Sequence, residues 1–544
     1  MSTTSTPPNS QQSSPSPQPT MPAHAPASLT LEGSEILFPS LPYDIQKRAT
    51  SATQDPQLQA FVNNATLHKD TARKEAFAQW FGDKYDDLRT LGGQIKQHTL
   101  DYLDHYLDQW IDNAEAAGVK VHYAATDEEA NAICVDIAKR HDAKLCVKTK
   151  SMVTEETHLV PDLEAIGCET IETDLGEFIL QLDHDAPSHI VTPMIHKDRT
   201  AVARAFTREL GAEYTENPEA LAMIARNHLR EKYRQADIGI SGGNFLVAES
   251  GSVVICTNEG NGRLSTSVPP VHIAFVGIEK MIPRRDDLAV LLKLLARSAV
   301  GQPLTVYTHI MTGPKRATEM DGPEEMHVIL IDNGRTEILR EETREMLRCI
   351  RCGACLNACP VYRKVGGHAY GAVYSGPIGA LITPLFKGLK NYKDLPFASS
   401  LCGACYEACP VKIDIPKHLI RLRGELIGMG QASMVDKVFF RLWATSLKYS
   451  PTYRLGGWAQ KMAFRMQAKL NRSIQGKDPY VSRGWLEKAP GPVAGWTSQR
   501  SMPTPPARSF RDWWRSERDG KTSDQSSSKT SDQSNGDSTP GKGA

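Results

Sequence analysis

CIRCGACLNACPVY (Cys349–Tyr362) and SSLCGACYEACPVK (Ser399–Lys412) carry the same words, CGAC and ACPV, in the same order. The first copy reads Cys349-x2-Cys352-x2-Cys355-x3-Cys359-Pro360, the spacing of the bacterial two-cluster ferredoxin run. Three thiolates two residues apart wrap a tight loop around one cubane, while the fourth cysteine points to a neighbouring one. Small residues (Gly353, Ala354, Ala358) let the backbone approach the sulfides, and Pro360 turns the chain away. In the second copy, Cys402, Cys405 and Cys409 align with Cys352, Cys355 and Cys359. Exchange of the fourth ligand assigns Cys349, Cys352, Cys355 and Cys409 to cluster one. Cys359, Cys402 and Cys405 fall to cluster two. Zinc favours paired C-x2-C units and four ligands, a pattern that this repeated run fits poorly.

Cluster two is one thiolate short, and the residue at the missing position is Ser399. Three arrangements stay open: a [3Fe–4S] cluster, a [4Fe–4S] cluster with a non-cysteine ligand (Ser399, a carboxylate or water), or a thiolate from another subunit. The plain alternative is that Ser399 is only a loop residue. The remaining cysteines, Cys134, Cys146, Cys168 and Cys256, sit singly in or beside apolar runs. Free cysteine there behaves as a small buried hydrophobe, and no role is assigned to them.

Outward from the motifs the texture changes on both sides. Upstream, Leu100, Leu103, Leu107, Trp110 and Ile111 predict an amphipathic helix over 94–116. Strands are predicted at KVHYAA (120–125), KLCVKT (144–149) and SHIVTP (188–193), and within 237–260 where glycine pairs break the runs. HIAFVGI (272–278), LTVYTHI (304–310) and HVILID (327–332) complete the series. Helices are predicted through Ala130, Ile133, Cys134 and Ile137, and over 218–236. Such alternation predicts an α/β domain with a largely parallel sheet over 95–335, preceded by a helical region at 40–94. The cysteine-rich domain covers 340–430. A helical, basic and aromatic region follows at 431–490; in it Val435, Val438, Phe439, Leu442 and Trp443 form a stripe flanked by Lys437, Arg441 and Lys448.

The ends differ in composition. Residues 1–29 are nearly all Ser, Thr, Pro, Gln and Ala, and 519–544 repeat Ser, Asp, Lys and Gly. Both are expected to be disordered tails, because they hold too little apolar surface to offset the entropy of ordering. The 63 basic and 63 acidic residues cancel, so nothing in the net charge argues for nucleic acid. No secretory signal or membrane span is legible. A cytoplasmic protein is expected, with a peripheral place at the inner membrane face as a variant of that reading. Reduced thiols then favour metal ligation over disulfides.

Two further segments are weighed. TNEGNGRLST (257–266) lies between strands, where Glu249, Asn258, Glu259, Asn261 and Arg263 would line a ligand site; an exposed Asn-Gly turn explains it as well. After another strand, Lys148, Lys150 and Ser151 would meet an anion, or Ser151 simply caps a helix. No catalytic residue is assigned.

The order GNFLVAESGSVVICTNEGNGRLST…HIAFVGIEKMIP, then CIRCGACLNACPVYRKVGGHAYGAVYSGPIGA, then LCGACYEACPVKIDIP closely resembles the lactate utilization protein B family over roughly residues 40–490. The resemblance implies an α/β LUD domain, similar to the sugar-phosphate isomerase and CoA-transferase-like group. An α-helical ferredoxin-like domain with two iron–sulfur clusters follows. It implies two [4Fe–4S] clusters, the second with three cysteines of this chain, so that Ser399 is no departure from the family pattern. It also implies an electron-transfer component of an L-lactate dehydrogenase complex that oxidises lactate to pyruvate. The implied partners are a second cysteine-rich iron–sulfur subunit and a small LUD-domain subunit. A membrane-surface or quinone-linked acceptor is weighed beside them. The alternatives are the iron–sulfur subunit of another 2-hydroxy-acid (glycolate-type) oxidase, and a redox-sensing binding module.

Overall fold

Six strands form one parallel sheet whose edges and centre follow from their composition. In a computed structural model, residues 33–431, 434–470, 485–486, 494–497, 500–503 and 509–518 are described. The strands before Gln431 are β1 (Lys120–Ala124), β2 (Leu145–Lys148), β3 (Glu169–Glu172), β4 (Ile238–Gly242), β5 (Phe245–Val247), β6 (Ser252–Thr257), β7 (Val271–Gly277), β8 (Met281–Ile282), β9 (Tyr307–Met311) and β10 (Glu325–Ile331). The main sheet has the order β1-β10-β7-β4-β2-β3, with every pairing parallel. Its centre, β7, is buried along its whole length, as a strand covered on both faces must be. A smaller sheet, β8-β5-β6-β9, lies beside it.

Helix ends follow their capping residues. Asp55 precedes Pro56 and accepts from the N–H groups of Gln57 and Leu58, starting the helix Pro56–Phe81. Thr126 and Asn217 do the same for Asp127–Arg140 and Pro218–Gln235. Each cap satisfies N–H groups that the first turn leaves without partners.

Three expectations are corrected. The single helix over 94–116 is two, Tyr85–Asp101 and Leu103–Ala116, because Tyr102 leaves helical geometry at φ −125°, ψ 38°. SHIVTP is not a strand. Its polar groups serve tertiary bonds instead: Ser188 N–H donates to the Pro193 carbonyl, and the Ser188 carbonyl accepts from the Tyr362 hydroxyl at 2.5 Å. The chain at Gly367 lies so close that a Cβ there would stand 1.8 Å from the Ser188 oxygen. The strand that fills the sheet edge is β3, which sequence reasoning passed over. Finally, 261–267 is a helix, Asn261–Ser267, with Asn261 and Gly262 buried, so this stretch is not an exposed turn.

The cysteine-rich segment does not stand apart. The described residues from 33 to 431 form one compact unit. One hydrophobic core joins Val62 and Phe77 of the N-terminal helices, Leu291 and Leu294 of the α/β part, and Leu356, Leu381 and Leu422 of the cysteine-rich part. The second unit holds the helices Met434–Lys448 and Ser450–Leu470. No side chain of Met434–Lys448 is buried, the stripe through Phe439 and Trp443 included. No helix among the described residues is long and apolar enough to cross a membrane. The two tails expected to be disordered, 1–29 and 519–544, lie outside the described residues.

Candidate iron–sulfur site

The two cysteine runs adopt one backbone shape. Each begins with a non-glycine residue in the left-handed region, Arg351 (φ 58°) and Leu401 (φ 53°), followed after one cysteine by a left-handed glycine, Gly353 or Gly403. A one-turn helix follows in both, Ala354–Ala358 and Ala404–Ala408, and ends on an extended cysteine, Cys359 or Cys409. Bulky residues are rarely found at positive φ; here the turn aims successive side chains inward.

The turn brings distant cysteines together. Cys349, Cys352, Cys355 and Cys409 line one small cavity, walled by Ile190, Ile378, Val411, Ile413 and Arg351. Three of these cysteines belong to the first copy and one to the second. Cys359, Cys402 and Cys405 form another group: burial, then the charge of Cys359, push the Cys405 thiol up to about 12, with the Tyr406 N–H opposing and Cys402 adding to the rise. Cys402 is exposed, while Cys352, Cys355, Cys359, Cys405 and Cys409 are buried.

Buried thiols resist ionisation, since burial removes the water that would solvate a thiolate. Burial pushes Cys409 to about 11 against the N–H groups of Ile413 and Val411, which favour its charge. The thiols are nonetheless dressed for ligation. Backbone N–H groups donate to Cys349 Sγ (from Arg351, 3.4 Å), Cys359 Sγ (from Tyr362, 3.5 Å) and Cys409 Sγ (from Ile413, 3.3 Å). The Arg351 side chain is buried beside the cavity, and its Nη1 has no hydrogen-bond partner among the described residues. A soft four-sulfur set with amide donors and a buried cation fits an iron–sulfur cubane.

The surroundings are cationic. Arg351 lies 4.4 Å from the centre of the Tyr374 ring and 3.5 Å from Glu279 Oε1. Burial, then the Arg351 charge, pushes Lys280 down to about 8; burial, then Lys280, pushes Lys96 to about 7. The ammonium of Lys96 donates to the Glu279 and Met281 carbonyls at 2.5 and 3.0 Å. Arg335 binds Glu156 through two bonds of 3.0 Å and Glu279 at 2.5 Å, and the Tyr374 hydroxyl donates to Glu156 at 2.6 Å. This network stitches the α/β part to the cysteine-rich part. From the N-terminal helices, Arg89 donates to the carbonyls of Cys409 (2.9 Å) and Tyr406 (2.7 Å), fixing the second copy to the helix Tyr85–Asp101. Sequence reasoning missed Arg89, Lys96, Lys280 and Arg335, whose partners lie far away in the chain. Only Arg351, inside the motif, was within its reach.

Several of the other candidates are engaged in bonds of their own. Glu249 accepts from Arg285 N–H, Asn258 bonds Gln302 and Val306, and Glu259 accepts from Leu175 N–H. Lys148 is paired with Glu155 and Glu172 at 3.1 and 2.7 Å. Ser151 caps the helix Met152–Glu156. Cys134, Cys146 and Cys168 are buried and Cys256 partly so.

Comparison with known proteins agrees with this division. Family models match residues 107–331 (LUD domain), 345–413 (4Fe-4S dicluster domain) and 422–519 (Lactate utilisation protein B, C-terminal). Proteins named Lactate utilization protein B from Bacillus cereus (strain AH820) and Bacillus thuringiensis (strain Al Hakam) are each 44% identical to the chain over 474 residues, covering 87% of it and 97% of their own length. A solved DUF162 family protein from Deinococcus radiodurans aligns with 42% of this chain and 98% of its own at 12% identity. Its TM-score of 0.25 carries no argument.

Proposed function

The chain belongs to the lactate utilization protein B family, and from that premise we propose that it is the iron–sulfur electron-transfer subunit of an L-lactate oxidising complex. The observation that carries the reading is the cavity at which Cys349, Cys352 and Cys355 meet Cys409 from the second copy. In this reading these four residues hold one [4Fe–4S] cluster, and Cys359, Cys402 and Cys405 hold a second. When bound, the clusters supply one-electron storage and transfer.

The chain's own residues then set the conditions. Arg351 and Lys280 offset the negative charge of four thiolates in a buried setting, where Coulomb interactions are strong. Amide donors to Cys349, Cys359 and Cys409 add to the same stabilisation. The exposed Cys402 marks the second cysteine set as the one nearer the surface, which suits exchange of electrons with a partner. That partner would be a second cysteine-rich iron–sulfur subunit or a small LUD-domain subunit. A quinone-linked acceptor at the inner membrane face would receive electrons beyond them, so the complex would work in the cytoplasm. The apolar stripe of Met434–Lys448 offers a docking face for such contacts. The LUD part would share the fold of the sugar-phosphate isomerase and CoA-transferase-like group, and the cysteine-rich part that of a helical ferredoxin.

A deletion strain is expected to lose growth on L-lactate, keep growth on glycolate and regain the first when the chain is restored. Loss on glycolate alone would move the assignment to the glycolate-type oxidases.

A further inference from the structure

Position 399 repeats position 349 in its spacing, in the left-handed residue two places on and in the backbone amide that meets its side chain. Cys349 and Ser399 both stand three residues before the next cysteine, and both are followed two residues on by a left-handed non-glycine residue, Arg351 or Leu401. In the first copy the Arg351 N–H donates to Cys349 Sγ at 3.4 Å. In the second the Leu401 N–H donates to Ser399 Oγ at 3.1 Å. The same backbone amide thus addresses the sulfur in one loop and the oxygen in the other. After that point the loops stay in step: Leu356 and Tyr406 donate to the Gly353 and Gly403 carbonyls at 3.0 and 2.9 Å, and Cys359 and Cys409 to the Leu356 and Tyr406 carbonyls, each at 3.2 Å.

The Ser399 loop is also anchored. Arg423, on the helix Ile415–Gly428, donates to the Pro396 carbonyl at 2.8 Å and the Ser399 carbonyl at 3.1 Å, with its guanidinium 5.0 Å from the Phe397 ring centre. Leu401 takes a conformation that bulky side chains avoid. The repeat supplies a reason: Leu401 keeps the shape that places the side chain of residue 399 where the first copy places a ligand.

We propose that Ser399 Oγ is the fourth protein ligand of the cluster held by Cys359, Cys402 and Cys405, an inference that rests on the two-cluster reading above. Ligation forms one O–Fe bond, displaces one water from that iron and sends the hydroxyl proton to solvent. No electron is moved. One iron of this cluster is then oxygen-bound while the other three are bound by thiolates. An oxygen ligand is harder than sulfur and sets that iron apart from the rest.

The test uses the full-length chain, purified anaerobically, with iron counts, Mössbauer and EPR spectra before and after brief exposure to a chelator. The wild type is expected to keep about eight irons and to show one iron site distinct from the all-thiolate sites. Ser399→Ala is expected to lose one iron per chain to the chelator and, after one-electron oxidation with added ferricyanide, to show the EPR signal of an oxidised [3Fe–4S] cluster. Ser399→Cys is expected to keep every iron and to lose the distinct site. The unchanged spectrum of the Cys349 cluster in both variants reports that they are folded. Equal chelator loss from wild type and Ser399→Ala, or a distinct site that survives in Ser399→Cys, would overturn the assignment while leaving two clusters in place. A chain that holds no second cluster at all would overturn the two-cluster reading with it.

Discussion

Cys409→Ala is expected to abolish the same iron–sulfur cluster as Cys349→Ala, although sixty positions separate the two residues, and to spare the other. Each variant should lose about four of about eight irons, with matching loss of one set of EPR and Mössbauer features. The reason is geometric. Cys409 lines the cavity of the first copy, held there by Arg89 on its carbonyl and by the Ile413 amide on its sulfur. Alanine is the informative replacement, since a serine would leave an oxygen able to take the ligand's place. Cys402→Ala should remove the complementary features. If Cys409→Ala and Cys402→Ala erase the same signal, the exchange of ligands between the copies is wrong.

Arg335→Ala is expected to destabilise the chain by about 3–5 kcal/mol, the usual cost of removing one partner of a buried ion pair, read from urea unfolding followed by circular dichroism. Arg335 is almost fully buried, and its loss strands the equally buried Glu156 and Glu279. The pH dependence carries a second signature. Burial alone would raise the Glu279 carboxyl, but Arg335, Lys280 and Arg351 overturn this and hold it at about 2. A carboxyl depressed in the folded state contributes stability that is complete above its unfolded value, roughly 4.3, and is lost as pH falls through its folded value. The wild type should therefore weaken between about pH 4.5 and pH 2. In Arg335→Ala burial opposes less cation, so the carboxyls protonate at higher pH. The gap between the two proteins should narrow as pH falls from 7 toward 4. A constant gap over that range would show that the charge of Arg335 is not what the network uses.

Much of the architecture is written in local patterns. The runs that became β2, β4, β7 and β10 are short and largely apolar, and their burial in a parallel sheet follows from that composition. The cysteine spacing likewise needs only the motif. What escapes a local reading is whatever depends on chain segments far apart. SHIVTP has the composition of a strand, yet its backbone is claimed by Tyr362 and by the close pass of Gly367. The helix break at Tyr102 carries no proline or glycine to announce it. Lys96 and Arg89 look like ordinary polar positions on an amphipathic helix; their burial is set by Glu279, Met281 and Cys409, between roughly 180 and 320 positions away. The odd serine was visible in the sequence as a gap in a repeat, but its orientation needed the matching amide bonds of Arg351 and Leu401.

The central claim is that the seven motif cysteines build two iron–sulfur sites, and metal analysis of the anaerobically purified full-length chain tests it most directly. Iron, acid-labile sulfide and zinc should be measured on one sample. The account predicts about eight irons and about eight sulfides per chain with negligible zinc. One or two zinc ions per chain, with little iron and no labile sulfide, would contradict it.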